Sequence, residues 1–171
     1  MDCVDRGEEM RRRFAVWVGA AILGLLPMLA AADALLPEAD DLAADGRAAT
    51  ATGVPILIEM SRRGCIYCEK VREDFLKPMV RSGDYRGRVI FRQLHVDAER
   101  PLIDFDGRRI GPREFARRYH VGLTPTVLLL DAQGRLLAKP LVGLTTEDFY
   151  GAFLDEAIDE ASARLRKKRG I

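Results

Sequence analysis

Residues 54–71 read VPILIEMSRRGCIYCEKV, and the order of residue types along them decides the fold class. Val54, Ile56, Leu57 and Ile58 make an apolar run suited to a buried strand, expected over Val54–Met60. Ser61-Arg62-Arg63-Gly64 interrupts it, and Cys65-Ile66-Tyr67-Cys68 then opens a segment of helical periodicity. A cysteine at a helix start lies against unpaired backbone N–H groups at the positive end of the helix dipole, which favours thiolate over thiol. The second cysteine comes one turn later, within reach of a Cys65–Cys68 disulfide. Strand, tight loop and CxxC at a helix start together suit dithiol redox chemistry.

The rest of the composition agrees with one functional dithiol on an ordinary domain. The chain has 171 residues, enough for a single domain with its own core. Its 27 basic and 26 acidic residues leave a formal net charge of +1, which gives no footprint for nucleic acid. Three cysteines are too few for a disulfide framework. A zinc site wants four ligands, and besides the CxxC pair the body offers only His95 and His120, far apart in sequence and more readily structural or surface residues. Neither a metal nor any other cofactor is therefore expected.

The N-terminus reads as an export segment. Arg11, Arg12 and Arg13 precede an uncharged stretch from Phe14 to Leu29, and two A-x-A sites follow, Ala30-Ala31-Ala32 and Ala32-Asp33-Ala34. Residues 1–34 are expected to be a signal peptide, with cleavage leaving Asp33 or Leu35 first, and residues 35–171 the domain. The alternative is an uncleaved inner-membrane anchor, since Phe14–Ala32 is 19 residues and just spans a bilayer. In both cases the arginines hold the N-terminus in the cytoplasm and the body is exported. Cys3 precedes the apolar stretch, so the exported body keeps only Cys65 and Cys68.

Along that body, Leu35–Ala51 is expected to be a helix, closed at Thr52-Gly53. The helix after Cys65 should bury Cys68, Val71, Phe75, Leu76 and Met79 and break near Leu76 ahead of Pro78, with a short piece running on through Val80. Arg88–Val96 is the second strand, and Asp97–Gly111 is irregular with a small turn. Pro112 opens a helix that turns Phe115, Ala116 and Tyr119 inward and closes at Gly122. Thr124–Leu130 is the third strand, Asp131–Gly134 a hairpin connection and Arg135–Lys139 the fourth strand. A final amphipathic helix carries Phe149, Phe153, Leu154, Ile158, Ala161 and Leu165, and Lys167-Lys168-Arg169 is its solvated C-terminal end.

The order β-α-β-α-β-β-α, with a CxxC after the first strand and Thr124-Pro125 opening the third, resembles the thioredoxin superfamily over roughly Leu35 to Leu165. Asp104-Phe105-Asp106-Gly107, Phe115-Ala116-Arg117 and Val121-Gly122-Leu123-Thr124-Pro125-Thr126 look more closely like the periplasmic SoxW-type thioredoxins of bacterial sulfur oxidation. The resemblance implies an α/β thioredoxin fold, with a central mixed four-stranded sheet flanked by helices.

Function follows in the same terms. Cys65 is the candidate nucleophile, aided by the helix N-terminus and nearby Arg62 and Arg63, and Cys68 the resolving thiol. Glu59 stands six residues before Cys65 in an apolar strand. Burial should raise its pKa, and the resemblance matches it to a buried acid that accepts the proton of the second cysteine. By the residues alone Pro125 is a proline at a strand start. By resemblance it is a cis-proline facing the CxxC, with Thr124 offering main-chain hydrogen bonds to substrate, while Ile66 and Tyr67 tune the potential and touch substrate.

The resemblance thus implies a periplasmic thiol–disulfide oxidoreductase that reduces protein disulfides, with clients in a sulfur-oxidation or cytochrome-maturation system and a membrane electron donor of the thiol-transporter type. Gly64 stands where thioredoxins usually carry Trp, and Ile66-Tyr67 where they carry Gly-Pro, so a disulfide isomerase or oxidant is the alternative. A non-catalytic partner-binding module is a further one, opposed by the intact CxxC, Glu59 and Thr124-Pro125.

Overall fold

The computed structural model describes residues 36–170; the expected signal or anchor segment, with Cys3, lies outside them. At the centre is β1 (Ile56–Ser61), buried at every position. It pairs in parallel with β2 (Ile90–His95), from Ile56↔Ile90 to Ser61↔His95, and antiparallel with β5 (Thr126–Leu130), from Ile56↔Leu130 to Met60↔Thr126. β6 (Leu141–Val142) adds antiparallel to β5, giving a mixed four-stranded sheet in the order β2-β1-β5-β6. This is the thioredoxin fold.

The outer strand is not Arg135–Lys139. Leu136 makes only an isolated bridge to Leu130, while Leu137 and Ala138 turn into the core. Pro140 has no N–H to give a ladder, and the regular ladder resumes immediately after it.

Both faces of the sheet are covered because side chains alternate along each strand. Leu57, Phe91, Val127 and Leu129 point to one side and meet Val71, Leu76, Met79, Tyr150, Leu154 and Ile158. Ile56, Ile58, Met60, Leu94, Leu128 and Leu130 point to the other and meet Leu42, Ala49, Phe115 and Ala116. Burying one such aliphatic side chain contributes about 1.5–3 kcal/mol, so these two layers carry most of the favourable energy of the fold.

Helix α1 (Leu42–Thr52) starts later than Leu35, where Asp41 accepts the Ala44 N–H at 2.8 Å as a side-chain cap. The residues before it run along β2 instead: Gln93 N–H donates to Pro37 O and Ala39 N–H to Gln93 O, each at 2.8 Å. Helix α2 (Ile66–Lys70), a π turn (Val71–Leu76) and α3 (Lys77–Ser82) succeed one another without the break expected before Pro78. Leu76 and Lys77 stay right-handed helical, and Lys77 N–H reaches back five residues to Arg72 O. The wide turn takes up the proline that a regular helix would have to kink around.

The stretch expected to be irregular holds a small hairpin, β3 (Leu102–Ile103) with β4 (Arg109–Ile110), turning at Asp104–Gly107. Helix α4 (Pro112–Arg118) begins at its proline as expected, but closes at Tyr119 rather than Gly122, and His120 takes the left-handed position at φ 54°.

A 3-10 turn (Glu147–Phe149) leads into α5 (Tyr150–Arg169). The buried stripe of α5 is Tyr150, Leu154, Ala157, Ile158 and Ala161. Leu154, Ile158 and Ala161 are inward as expected, whereas Phe149 and Phe153 are 61% and 39% exposed and Tyr150 and Ala157 take inward places instead. The basic end is tied down rather than only solvated: Lys168 Nζ pairs with Asp131 at 3.0 Å and the Arg169 guanidinium donates to Thr50 O at 2.7 Å. No helix among the described residues is long and apolar enough to cross a membrane.

Candidate active site

Three segments meet where β1 ends. The chain leaves Ser61, turns through Gly64 in the left-handed region at φ 68°, and reaches Cys65 as the N-cap of α2. Glycine takes that conformation without the steric cost a side chain would bring. Cys65 is extended, and its Sγ accepts the Cys68 N–H at 3.2 Å, meeting one of the unpaired donors of the helix start. The two sulfurs are joined in a disulfide, 2.11 Å apart, with Cys65 partly exposed and Cys68 fully buried. Arg62 is exposed, and Arg63 is occupied by Asp97, its Nε 3.2 Å from Oδ2, so only Arg62 of the two is left without a recorded acidic partner near Cys65.

Across from the disulfide the Thr124–Pro125 bond is cis. The Cys65 Sγ lies 3.8 Å from both the carbonyl oxygen and the hydroxyl of Thr124. Two hydrogen bonds of 2.7 Å hold this loop: the Thr126 hydroxyl donates to Leu123 O, and the Gly143 N–H to Pro125 O. Exposed Ile66 and Tyr67 on one side and Leu123 on the other border the sulfur with apolar surface.

Glu59 lies in the middle of β1, between Gln93 and Val127, and points to the same side of the sheet as Leu57, which is the side covered by the Cys68 helix. It is fully buried, and neither carboxylate oxygen has a hydrogen-bond partner. Burial pushes its pKa from 4.5 up to about 7; the positive charge of Arg72 and the Ser61 hydroxyl pull the other way, and Glu38 adds to the rise. Tyr150 enters the same region from α5. Its hydroxyl is also buried without a partner, and burial together with Glu59 raises it.

The structure thus joins Cys65 to Cys68, sets Thr124, with its cis bond to Pro125, against the Cys65 sulfur, and buries Glu59 in the strand that leads to them. It leaves the two histidines apart. His95 Nε2 is 2.9 Å from the Gln93 amide nitrogen and 3.8 Å from Glu38, whereas His120 is exposed beyond α4. Among the described residues no group of three His, Cys, Asp or Glu side chains comes together as a metal site.

Sequence reasoning missed Ser61, Arg72 and Tyr150. Ser61 was within reach, because it is two residues from Glu59 on one strand and therefore shares its face. Arg72 was within reach as the residue four after Cys68 on a helix. Tyr150 was hidden by the more apolar Phe149 beside it.

Residues 42–158 match the thioredoxin-like domain family, which is more than half of the chain. Among solved structures, a poplar thioredoxin h is 18% identical and aligns over 66% of this chain and 85% of its own, with a TM-score of 0.48. Mitochondrial thioredoxin 3 of Saccharomyces cerevisiae, in its oxidised form, is 16% identical over 73% of this chain and 94% of its own, at 0.48. The oxidised C-terminal domain of Neisseria meningitidis DsbD is 16% identical over 67% and 90%, at 0.46. No curated protein matches the chain significantly.

Proposed function

The chain belongs to the thioredoxin-like domain family, and on that footing we propose that it is a thiol–disulfide oxidoreductase that reduces protein disulfides through Cys65 and Cys68. The observation that carries this reading is the asymmetry of the pair: Cys65 is partly exposed beside the cis Thr124–Pro125 loop, and Cys68 is fully buried.

In the reduced protein the Cys65 thiolate attacks a substrate disulfide. The substrate S–S bond breaks, a mixed disulfide forms on Cys65, and the departing thiolate takes a proton from water. Cys68 then gives its proton to the Glu59 carboxylate and attacks the Cys65 sulfur. The Cys65–Cys68 disulfide forms and the second substrate thiolate leaves, so the substrate has gained two electrons. A carboxyl that titrates near neutral pH suits this exchange, because it accepts a proton at no great cost and can release it again. Thr124 would hold an extended substrate segment by its main chain, with Ile66, Tyr67 and Leu123 supplying apolar contact.

The export pattern over residues 1–34 supports a periplasmic setting for this chemistry, with the domain either released or anchored to the inner membrane. In an oxidising compartment a reductase needs recharging, hence a membrane dithiol donor of the thiol-transporter type. Clients in sulfur oxidation or cytochrome maturation fit the SoxW-type resemblance. The exposed Ile66-Tyr67 pair favours one second reading, an isomerase or oxidant using the same exchange in another direction.

Trapping tests the proposal. With Cys68→Ser, reduced protein should accumulate mixed disulfides on Cys65 that a reductant releases, and Cys65→Ser should accumulate none. Equal adduct on both variants, or none on either, would remove the assignment of Cys65 as nucleophile.

A further inference from the structure

On the helix side of the sheet, β1 and β2 are apolar at one end and polar at the other. Leu57 and Phe91 give way to Glu59 beside Gln93 and then Ser61 beside His95, in adjacent register positions. Four atoms of this stripe, both Glu59 oxygens, Ser61 Oγ and His95 Nδ1, are buried without a hydrogen-bond partner. So many unpartnered polar atoms in one place are costly and call for a use.

The stripe has a direction. Glu59 and Ser61 are fully buried and Gln93 is 4% exposed, while the His95 side chain is 28% exposed and that of Glu38, bridged to Gln93 from the segment before α1, is 49% exposed. It leads from beneath the Cys68 helix to solvent beside β2. Ser61 can accept a hydrogen bond on one side and donate on the other, and a neutral imidazole accepts at one ring nitrogen and donates at the other. His95 is also coupled to Gln93 at 2.9 Å. When the amide nitrogen donates to Nε2, the ring proton sits on Nδ1, toward the buried end. When the amide turns its oxygen to Nε2, the proton sits there, on the Glu38 side.

We propose that Ser61, His95 and Glu38 form a proton exit that acts through Glu59, carrying to solvent the proton that Cys68 gives up when it resolves the mixed disulfide. This rests on the thiol–disulfide reading. The balance requires such a route: one proton leaves Cys68 per resolution, Glu59 holds it, and Glu59 has no exposed surface from which to pass it to water. Four groups act on Glu59. They are Arg72 from the π turn, Tyr150 from α5, Ser61 on its own strand and Glu38 from the N-terminal segment, and the helical run that begins with α2 covers this side of the sheet. Arg72, Asp40, Arg100 and His95 face Glu38 in turn. Of these, Arg72 and Arg100 carry guanidinium groups that donate and cannot accept, Asp40 is paired with Arg100 at 3.3 Å, and Tyr150, 2% exposed, offers no way out to water. That leaves the Ser61–His95–Glu38 line.

The test uses reduced protein and 5,5′-dithiobis(2-nitrobenzoate), whose coloured thiolate is released twice, first on attack by Cys65 and then on resolution by Cys68. In His95→Ala the first release should be unchanged and the second slowed at least about tenfold at pH 7. Free imidazole should restore the second release in proportion to its concentration. His95→Gln, which preserves side-chain bulk, should show the same slow second release, and in a Glu59→Gln background the His95 change should add nothing.

A second release that is unchanged in His95→Ala and His95→Gln, or slowed in a way imidazole does not relieve, overturns the exit. Wild-type protein with no first release overturns instead the disulfide-exchange reading on which it rests.

Discussion

Glu59 presents an ionisable carboxyl that is fully buried in β1, and pH should therefore act on this residue twice. Its folded pKa of about 7 lies above the ordinary 4.5. The folded protein therefore binds the proton more tightly than the unfolded chain. The stability this gives is full below about 4.5 and lost as pH rises through 7. At about 1.36 kcal/mol per unit, some 3 kcal/mol is at stake. Urea unfolding of wild type and Glu59→Gln at pH 4.5 and 7.5 should show the variant gaining on the wild type by roughly that amount at the higher pH. A constant difference would mean that Glu59 titrates normally. In single-turnover assays the same substitution should slow the second step, with loss of the mixed disulfide falling roughly a hundredfold while the first attack is kept. An undiminished second step would remove Glu59 from the reaction.

The secondary elements separate what residue patterns can announce from what packing decides. β1, β2 and β5 were legible because Ile56–Ile58, Val89–Phe91 and Val127–Leu130 are runs of apolar residues bounded by breakers. Arg135–Lys139 also read as a strand, but it keeps only the Leu136–Leu130 bridge and the Leu137 N–H to Leu129 O, and the regular ladder passes to Leu141–Val142 beyond Pro140. The π turn gave no signal, since a wider helical turn leaves the spacing of Val71, Leu76 and Met79 almost as it was.

Helix α5 offers a plain check of which face is buried. Leu154→Ala should cost about 2–5 kcal/mol, whereas Phe153→Ala, at a 39% exposed site, should cost well under half as much in the same chemical denaturation experiment. Equal losses would return Phe153 to the core. The Asp131–Gly134 turn offers another. Gly134 sits at φ 76°, and a methyl group there would meet Phe105 at 2.6 Å and the Tyr119 hydroxyl at 2.9 Å. Gly134→Ala should therefore destabilise by more than the ~1 kcal/mol of a left-handed backbone alone, with a lower thermal midpoint as the readout.

At the scale of the molecule, the fold gathers a site from positions that are far apart in sequence. Cys65 and Cys68 were legible from their spacing, and Pro125 as a site residue only from a resemblance, because nothing local says that a proline some sixty residues later returns to the CxxC. The antiparallel pairing of β1 with β5 brings it back. Ser61, Arg72 and Tyr150 escaped notice because their meaning depends on a shared buried layer. Export belongs to this scale too: expressed as the full chain in a bacterium with a periplasm, the protein should be recovered there with Asp33 or Leu35 first, as N-terminal sequencing would read. Recovery of an intact Met1 would leave the anchored form.

The direction in which the assembled site drives electrons is read by equilibrating Cys65–Cys68 against glutathione and measuring the reduced fraction. A reductase should give a potential near the thioredoxin range, about −270 mV. A value near −120 mV, typical of a strong disulfide donor, or a pair that does not exchange with glutathione at all, would contradict the assignment.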